Sequence, residues 1–181
     1  MYENHISFLK NKEESQTIKD LVVADLDPFE DDRGQIWTLY NTQDWNMRFV
    51  EDKISISTHN VLRGLHGDKT TWKLIGCLSG SFFLAVVDGR ENSPTYGNIE
   101  TFTLSAQKPQ LILVPAGCLN GHLCLTDQCI FWYKWSEYYN GPKNQVTIRW
   151  DDKDININWP YSSPIISERD ANGIDFKGLK L

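Results

Sequence analysis

Short apolar segments punctuated by glycine and proline run through most of this chain, and no long segment shows the 3.6-residue period of a helix. Several of the segments alternate polar and apolar side chains, which is the period of two that a strand requires. The segments read as strands are residues 21–24, 34–40, 49–58, 61–66, 72–78, 82–88, 99–104, 111–115, 119–126, 129–135 and 145–150. Many short strands separated by turns predict an all-β fold, a sandwich or jelly roll with only short peripheral helices.

The chain of 181 residues contains neither an internal repeat nor a low-complexity linker, so we expect one domain over residues 1–181. Its core is expected over residues 21–150, followed by a C-terminal segment over residues 151–181. Residues 1–20 read as a polar N-terminal arm, in which residues 11–16 suit either a short helix or a loose arm.

The formal net charge of −6 argues against nucleic acid or an acidic membrane as the partner, because both attract a basic surface. No segment approaches the roughly 20 apolar residues that span a bilayer, and the polar N-terminus predicts no signal peptide. The cysteines at positions 77, 118, 124 and 129 form no C-x-x-C pair. We therefore expect reduced, buried thiols in a cytoplasmic protein.

Arg63, His66 and Lys73 lie within eleven residues of a segment that otherwise reads as strand. Such a cluster suits an anionic ligand and a proton transfer. Taken singly, Arg63 fits a surface ion pair and His66 a hydrogen-bonded core side chain. Arg63 and His66 are three positions apart and point to opposite faces of a regular strand, so a bulge at Gly64 is needed to re-aim one of them.

The segment 49–58 has a polar face as well, because its alternate positions carry Glu51, Lys53, Ser55 and Ser57. This face either meets water or lines a pocket. In the second case, Glu51 and Lys53 face the ligand.

Several classes of chemistry lack their signature residues here. A cupin-type metal site commonly takes a His-x-His pair, which is absent, and Asn120 stands three residues after Gly117, where an amide is a poorer metal ligand than imidazole. The sequence also has no nucleophile elbow, dinucleotide-binding glycine motif or Walker sequence. We therefore expect no metal and no cofactor, which leaves acid–base chemistry. His66 is a candidate base, a tyrosine on a neighbouring strand a candidate acid, and Lys73 a candidate oxyanion stabiliser.

A series of motifs between residues 24 and 170 resembles the dTDP-4-dehydrorhamnose 3,5-epimerase family. In chain order they are Asp32-Arg33-Gly34, Ser55-x-Ser57, Arg63-Gly64-Leu65-His66, Lys73-Leu74, Val87-Asp88-x-Arg90, Ser93-Pro94-Thr95-x-Gly97, Pro115-x-Gly117, Tyr133-Lys134, Tyr138-Tyr139, Trp159-Pro160 and Ser167-x-x-Asp170. The resemblance implies a cupin-type jelly roll, a homodimer with an exchanged N-terminal strand, and a metal-free enzyme that acts on a nucleotide-diphospho-4-keto sugar.

The resemblance also implies a role for each catalytic residue. His66 removes the proton α to the C4 ketone, and Asp170 hydrogen-bonds His66 and raises its basicity. Tyr133 returns a proton to the opposite face of the ring, which inverts the carbon, and Lys73 stabilises the enolate at O4.

For ligand binding, the resemblance implies that Arg63 and Arg33 hold the pyrophosphate or the sugar. It places Tyr139 near the ligand.

The chain departs from the family pattern where relatives recognise the substrate. Glu51-Asp52-Lys53 stands in place of Gln-x-Asn, and Asn120 stands in place of a histidine. These changes predict an altered substrate, GDP-linked or dTDP-linked, a 6-deoxyhexose or a heptose, inverted at C3, C5 or both. The expected pathway is capsule or lipopolysaccharide sugar synthesis. The alternatives are a sugar-nucleotide 3,4-ketoisomerase and a non-catalytic jelly roll that binds a sugar nucleotide.

Overall fold

The computed structural model describes residues 7–181, and thirteen strands lie in that range. They are β1 Leu9–Glu14, β2 Val22–Leu26, β3 Phe29–Asp31, β4 Gly34–Ile36, β5 Glu51–Thr58, β6 Leu62–Gly67, β7 Lys73–Ser79, β8 Ser81–Asp88, β9 Ile99–Ser105, β10 Gln110–Val114, β11 Cys118–Cys124, β12 Gln128–Trp135 and β13 Val146–Thr147. Two helices of one turn, α1 Thr42–Trp45 and α2 Glu168–Ala171, and a 3-10 turn at Pro142–Asn144 complete the described elements.

Two antiparallel sheets face each other. Six strands form one sheet in the order β1-β2-β10-β7-β12-β5, and five form the other in the order β13-β6-β11-β8-β9. Strands β3 and β4 form a separate hairpin. Because neighbours in each sheet are mostly distant in sequence, the connections cross between the sheets, as they do in a jelly roll. The predicted all-β jelly-roll class with short peripheral helices is confirmed.

The main hydrophobic core fills the space between the sheets. Ile75 and Ile112 contribute to it from the six-stranded sheet, and Leu84 and Val86 from the five-stranded sheet. All four side chains are fully buried. At about 25 cal/mol for each Å² of apolar surface removed from water, this burial holds the two sheets together. It also fixes the walls of the space beside the core.

Three predicted elements differ from the structure. Within residues 34–40 only Gly34–Ile36 is strand, because its partner β3 is a short hairpin arm. Within residues 145–150 only Val146–Thr147 pairs, with β6. A short helix at residues 11–16 was one option, but Leu9–Glu14 pairs with β2 as an edge strand. Residues 1–6 of the predicted arm lie outside the described residues.

A bulge in β6 brings Arg63 and His66 to one cavity. His66 pairs with Asn120 and Arg63 pairs with His122, so three steps along β6 match two steps along β11. Gly64 provides the extra residue with φ 128°, a backbone conformation that favours glycine. A Cβ atom at Gly64 would meet the carbonyl oxygen of Asn120 at 2.8 Å. The bulge expected at Gly64 is therefore present.

The four cysteines are free thiols with buried side chains. Burial raises the pKa of Cys77 to about 11 and that of Cys118 to about 12. The Cys77 and Cys118 thiols are therefore protonated near neutral pH and poor nucleophiles. Within residues 7–181, no helix is long and apolar enough to cross a membrane.

Candidate active site

A cavity of about 390 Å³ lies between the two sheets. Strands β5, β7 and β12 line it from the six-stranded sheet, β6 and β11 from the five-stranded sheet, and residues at the start of α2 close one side. Its lining residues are Lys53, Ser55, Arg63, His66, Lys73, Asn120, His122, Phe131, Tyr133, Trp135, Tyr139, Gln145, Ser167, Arg169 and Asp170. A second cavity of about 230 Å³ shares Trp135, Tyr139 and Gln145 with the first.

His66 and Asp170 are in direct contact in this cavity. The Nε2 atom of His66 lies 2.6 Å from Oδ1 of Asp170, and the other carboxylate oxygen accepts a 3.4 Å hydrogen bond from the Gly64 N–H. Ser167 caps α2 and accepts a hydrogen bond from the Asp170 N–H, which fixes the position of the carboxylate. Because a carboxylate only accepts, Nε2 carries the proton and Nδ1 keeps the lone pair.

Burial sets the charge of this pair. It lowers the pKa of His66 below the usual 6.5, although the hydrogen bond and charge of Asp170 act in the opposite direction. For Asp170, burial alone would raise the pKa. The hydrogen bonds from His66 and Gly64 nevertheless hold the pKa below its ordinary value. Asp170 therefore does raise the basicity of His66, but burial outweighs it and the imidazole is neutral at neutral pH.

Lys73 is an almost fully buried ammonium, 3% exposed. Its Nζ atom donates one hydrogen bond of 3.1 Å to the carbonyl oxygen of His66 and one of 2.8 Å to Oδ1 of Asn120. Burial lowers the pKa of Lys73 to about 8. An ammonium has three donors, so one N–H remains for a ligand oxygen.

Tyr133 lines the same cavity as His66, from the opposite sheet. It lies on β12 between Phe131 and Trp135, which line the same face of that strand. Burial, together with the neighbouring Tyr139, raises the pKa of the Tyr133 phenol. Tyr133 is therefore a protonated donor near neutral pH, opposite a neutral imidazole.

Lys53 lines the cavity with its ammonium 4.2 Å from the ring centroid of Tyr139. Glu51 lies behind it, outside the cavity lining, and forms an ion pair with Lys53 at 2.5 Å. The Glu51 carboxylate also accepts a hydrogen bond from the Tyr139 N–H. The polar face of β5 thus points into the protein, and Glu51 supports Lys53.

Arg63 and Arg33, both predicted as ligand contacts, lie in different places. Arg63 lines the cavity, and its Nε atom donates a 3.0 Å hydrogen bond to Ser57. Arg33 lies on the β3–β4 hairpin with 83% of its side chain exposed, paired with Asp31. The structure does not bring Arg33 to the cavity.

Five lining residues that the sequence reading did not propose as ligand contacts carry a buried polar atom without a hydrogen-bond partner among the described residues. They are Ser55, His122, Trp135, Gln145 and Arg169. Buried polar groups in proteins are nearly always paired, so five unpaired polar atoms on residues that line one cavity favour a polar ligand there. Of the five, only Ser55 stands in a recognisable sequence pattern, the alternation of residues 49–58 and the Ser55-x-Ser57 motif.

Among residues 7–181, no group of three or more His, Cys, Asp or Glu side chains is placed to hold a metal ion. The ionisable groups that the cavity does collect are an imidazole bound to a carboxylate, a protonated phenol and a buried ammonium. This jelly-roll cavity therefore collects the side chains that acid–base enzymes use, together with cations that suit a polar, anionic ligand.

The comparisons with known proteins specify the family. The sequence profile of dTDP-4-dehydrorhamnose 3,5-epimerase matches residues 15–178. The Shigella flexneri enzyme of that name is 34% identical over 168 residues, 88% of this chain and 92% of the relative. The Methanothermobacter thermautotrophicus enzyme is 37% identical over 161 residues, 83% of this chain and 86% of the relative. The chain belongs to the dTDP-4-dehydrorhamnose 3,5-epimerase family.

Solved structures of related epimerases share the fold of this chain. The dTDP-4-dehydrorhamnose 3,5-epimerase of Elizabethkingia anophelis superposes with a TM-score of 0.86 at 33% identity, over 94% of this chain and 98% of that chain. A Legionella pneumophila epimerase in complex with dTDP-4-keto-L-rhamnose gives 0.87 at 29% identity, over 94% of each chain. The predicted enzyme class, a nucleotide-sugar 3,5-epimerase, is confirmed.

Proposed function

We propose that this protein inverts C3, C5 or both in a dTDP-linked 4-keto-6-deoxy sugar, without a cofactor. The observation that carries the proposal is the arrangement of His66 and Tyr133 on opposite sheets of one cavity, with Lys73 beside them. A base and an acid on opposite sides of a sugar ring exchange a proton on one face for a proton on the other. That exchange inverts a carbon next to a ketone.

In the proposed reaction, Nδ1 of His66 takes the proton from the carbon next to the C4 ketone. The electron pair moves to O4, where the free N–H of Lys73 stabilises the enolate. Tyr133 then gives its phenolic proton to the same carbon from the opposite face. Solvent finally removes the extra proton from His66 and supplies a proton to Tyr133, which restores the resting state. Asp170 holds the tautomer of His66 and stabilises the imidazolium that forms.

The substrate class rests on the charges and on the two connected cavities. Arg63, Lys53 and Arg169 line the first cavity in a chain whose formal net charge is −6, so cations concentrate where an anion must bind. The adjoining cavity is lined by the aromatic side chains Tyr138 and Tyr139, on which the base of a nucleotide can stack. The names of the relatives favour dTDP over GDP, and capsule or lipopolysaccharide synthesis is the proposed pathway.

We also propose a homodimer with an exchanged N-terminal strand, working in the cytoplasm. Ile54 and Ile56 point away from the cavity on edge strand β5 and are 59% and 57% exposed, an apolar pair suited to a partner. Strand β1 lies at the other edge of the same sheet. Arg33 remains a proposed ligand contact, and it projects from the protein on a hairpin with the exposed Phe29.

Proton exchange in heavy water tests the reaction. Wild-type enzyme with the dTDP-linked 4-keto-6-deoxy sugar should introduce deuterium at C3, C5 or both, together with inversion, as read by NMR. His66→Asn should abolish exchange, whereas Tyr133→Phe should keep exchange at the first centre and suppress inversion. A carbonyl displaced from C4 to C3 would identify a ketoisomerase, and absence of deuterium in every position would leave only a binding protein.

Calorimetry with dTDP and GDP tests the nucleotide. We expect dTDP to bind at least about tenfold more tightly than GDP, a difference of about 1.4 kcal/mol. Tighter binding of GDP would reverse the assignment of the base and leave the proton chemistry untouched.

A further inference from the structure

His122 is a buried histidine in the cavity that the proposed reaction does not use. It lies on β11, 4% exposed, and its Nε2 atom is buried without a hydrogen-bond partner among the described residues. The imidazole stacks on Phe131 with ring centroids 4.1 Å apart and planes 12° apart. It also contacts Phe82, with centroids 5.4 Å apart. The ring therefore has a fixed position where the cavity meets the main core.

Ser55 flanks the same phenyl ring. It pairs with Phe131 across β5 and β12, and its Oγ atom is also buried and unpartnered within the described part of the chain. Both Ser55 and His122 line the cavity. We call Ser55, His122 and Phe131 the floor of the cavity. The floor thus combines one aromatic ring with two polar atoms from opposite sheets that lack a hydrogen-bond partner in the described part of the chain.

The state of His122 suits recognition and not proton transfer. Burial, with Arg63 and His66 nearby, lowers its pKa to about 3. The ring is therefore neutral over the working pH range, with one nitrogen that donates and one that accepts. A buried neutral imidazole without a partner costs free energy unless a ligand supplies the hydrogen bond.

We propose that the floor binds a hydroxyl group of the sugar, with His122 Nε2 and Ser55 Oγ as its hydrogen-bond partners and Phe131 against the apolar face beside it. A hydroxyl both donates and accepts, so it satisfies a neutral imidazole nitrogen and a serine hydroxyl together. A methyl group would leave both atoms unpaired. The inference rests on the proposed function, because it assumes that a nucleotide sugar fills the cavity, and it makes His122 a residue that determines specificity for the sugar.

Calorimetry on the full chain tests the floor with three unreactive probes: dTDP, dTDP-glucose and dTDP-6-deoxyglucose. His122→Phe keeps the stack on Phe131 and removes both ring nitrogens. The affinity for dTDP-glucose should fall about tenfold, which corresponds to the loss of one hydrogen bond, and the affinity for dTDP should not change. His122→Gln keeps a polar atom near the position of Nε2 and should recover part of the loss. Thermal melting of each variant controls for folding.

The third probe locates the hydroxyl. If dTDP-6-deoxyglucose loses affinity in His122→Phe as dTDP-glucose does, the floor binds a ring hydroxyl. If only dTDP-glucose loses affinity, the floor binds the hydroxyl on C6, which supports the inference and overturns the 6-deoxy assignment of the proposed substrate. Equal affinity of wild type and His122→Phe for both sugars would overturn the inference while leaving the epimerase proposal intact. Failure of wild type to bind any of the three probes would overturn the proposed dTDP substrate, and the inference with it.

Discussion

The Nζ atom of Lys73 donates a 2.8 Å hydrogen bond to Oδ1 of Asn120, and this bond joins the two sheets across the cavity. Lys73 belongs to β7 in the six-stranded sheet and Asn120 to β11 in the five-stranded sheet. Burial already lowers the pKa of Lys73 to about 8. Because Asn120 accepts a hydrogen bond from this ammonium, we expect the side chain at position 120 to influence the pH at which Lys73 loses its charge, and through it the proposed reaction.

We expect activity to fall at alkaline pH as Lys73 loses its proton. Two different substitutions of Asn120 should move this alkaline limb of the pH–rate profile in opposite directions. Asn120→Asp places a carboxylate beside the ammonium, which raises the pKa of Lys73 and shifts the limb by about one pH unit upwards or more. Asn120→Leu removes the acceptor and shifts the limb downwards. The measurement is kcat/KM against pH. An alkaline limb at the same pH in both variants would show that Lys73 does not set it.

The wild-type profile itself should be bell-shaped. In the proposed reaction His66 must be neutral to accept a proton, so activity should rise as pH increases through its pKa, which burial places below 6.5. Lys73 must be charged, so activity falls as pH increases through about 8. The profile of kcat/KM reports the free enzyme and should follow both limbs. An acid limb above pH 7 would contradict the neutral state of His66.

Asp170→Asn should lower kcat about 100-fold or more, because the amide no longer fixes the tautomer of His66 or stabilises the imidazolium. The loss of the carboxylate also lowers the pKa of His66, so the acid limb should move to lower pH. Steady-state kinetics at several pH values measure both effects.

Asp151→Asn is the matched control for Asp170→Asn, since Asp151 pairs with Arg149 on the surface at 3.0 Å. That change should leave kcat within about twofold, because exposed ion pairs contribute little. A fall in kcat of equal size in both variants would show a general effect of charge and not a role of Asp170.

The strands were predictable because each needs only a local pattern. Residues 49–58 alternate along the chain, and β5 keeps that alternation, with Lys53 and Ser55 inside and Ile54 outside. The polar side faces inward because Lys53 and Ser55 line the cavity there. The alternation alone could not show which face of β5 points into the protein, because a period of two describes both faces equally well.

The contacts between residues of the candidate site were harder to predict from the sequence than the strands. Asp170 lies 104 positions after His66, so only the family resemblance linked them. His122 was visible in the sequence only as one of four histidines. Its open nitrogen depends on what lies around the ring, and that is a property of packing between β8, β11 and β12. Arg33 shows the reverse, because it belongs to a family motif and yet lies outside the cavity of this chain.

Gly64→Ala should destabilise the protein and reduce activity, and Gly34→Ala is its matched control. The two glycines have similar φ angles, 128° and 121°, so the backbone strain that alanine introduces should be similar at both positions. A Cβ atom at Gly34 meets no atom within 4 Å, whereas at Gly64 it would collide with the backbone of Gly121 and Asn120. The free energy of unfolding should therefore fall by about 1–3 kcal/mol more for Gly64→Ala than for Gly34→Ala. Denaturant titration measures this difference. Because the bulge aims His66, kcat should fall for Gly64→Ala and stay near wild type for Gly34→Ala, and equal losses in both variants would show that the bulge does not position the base.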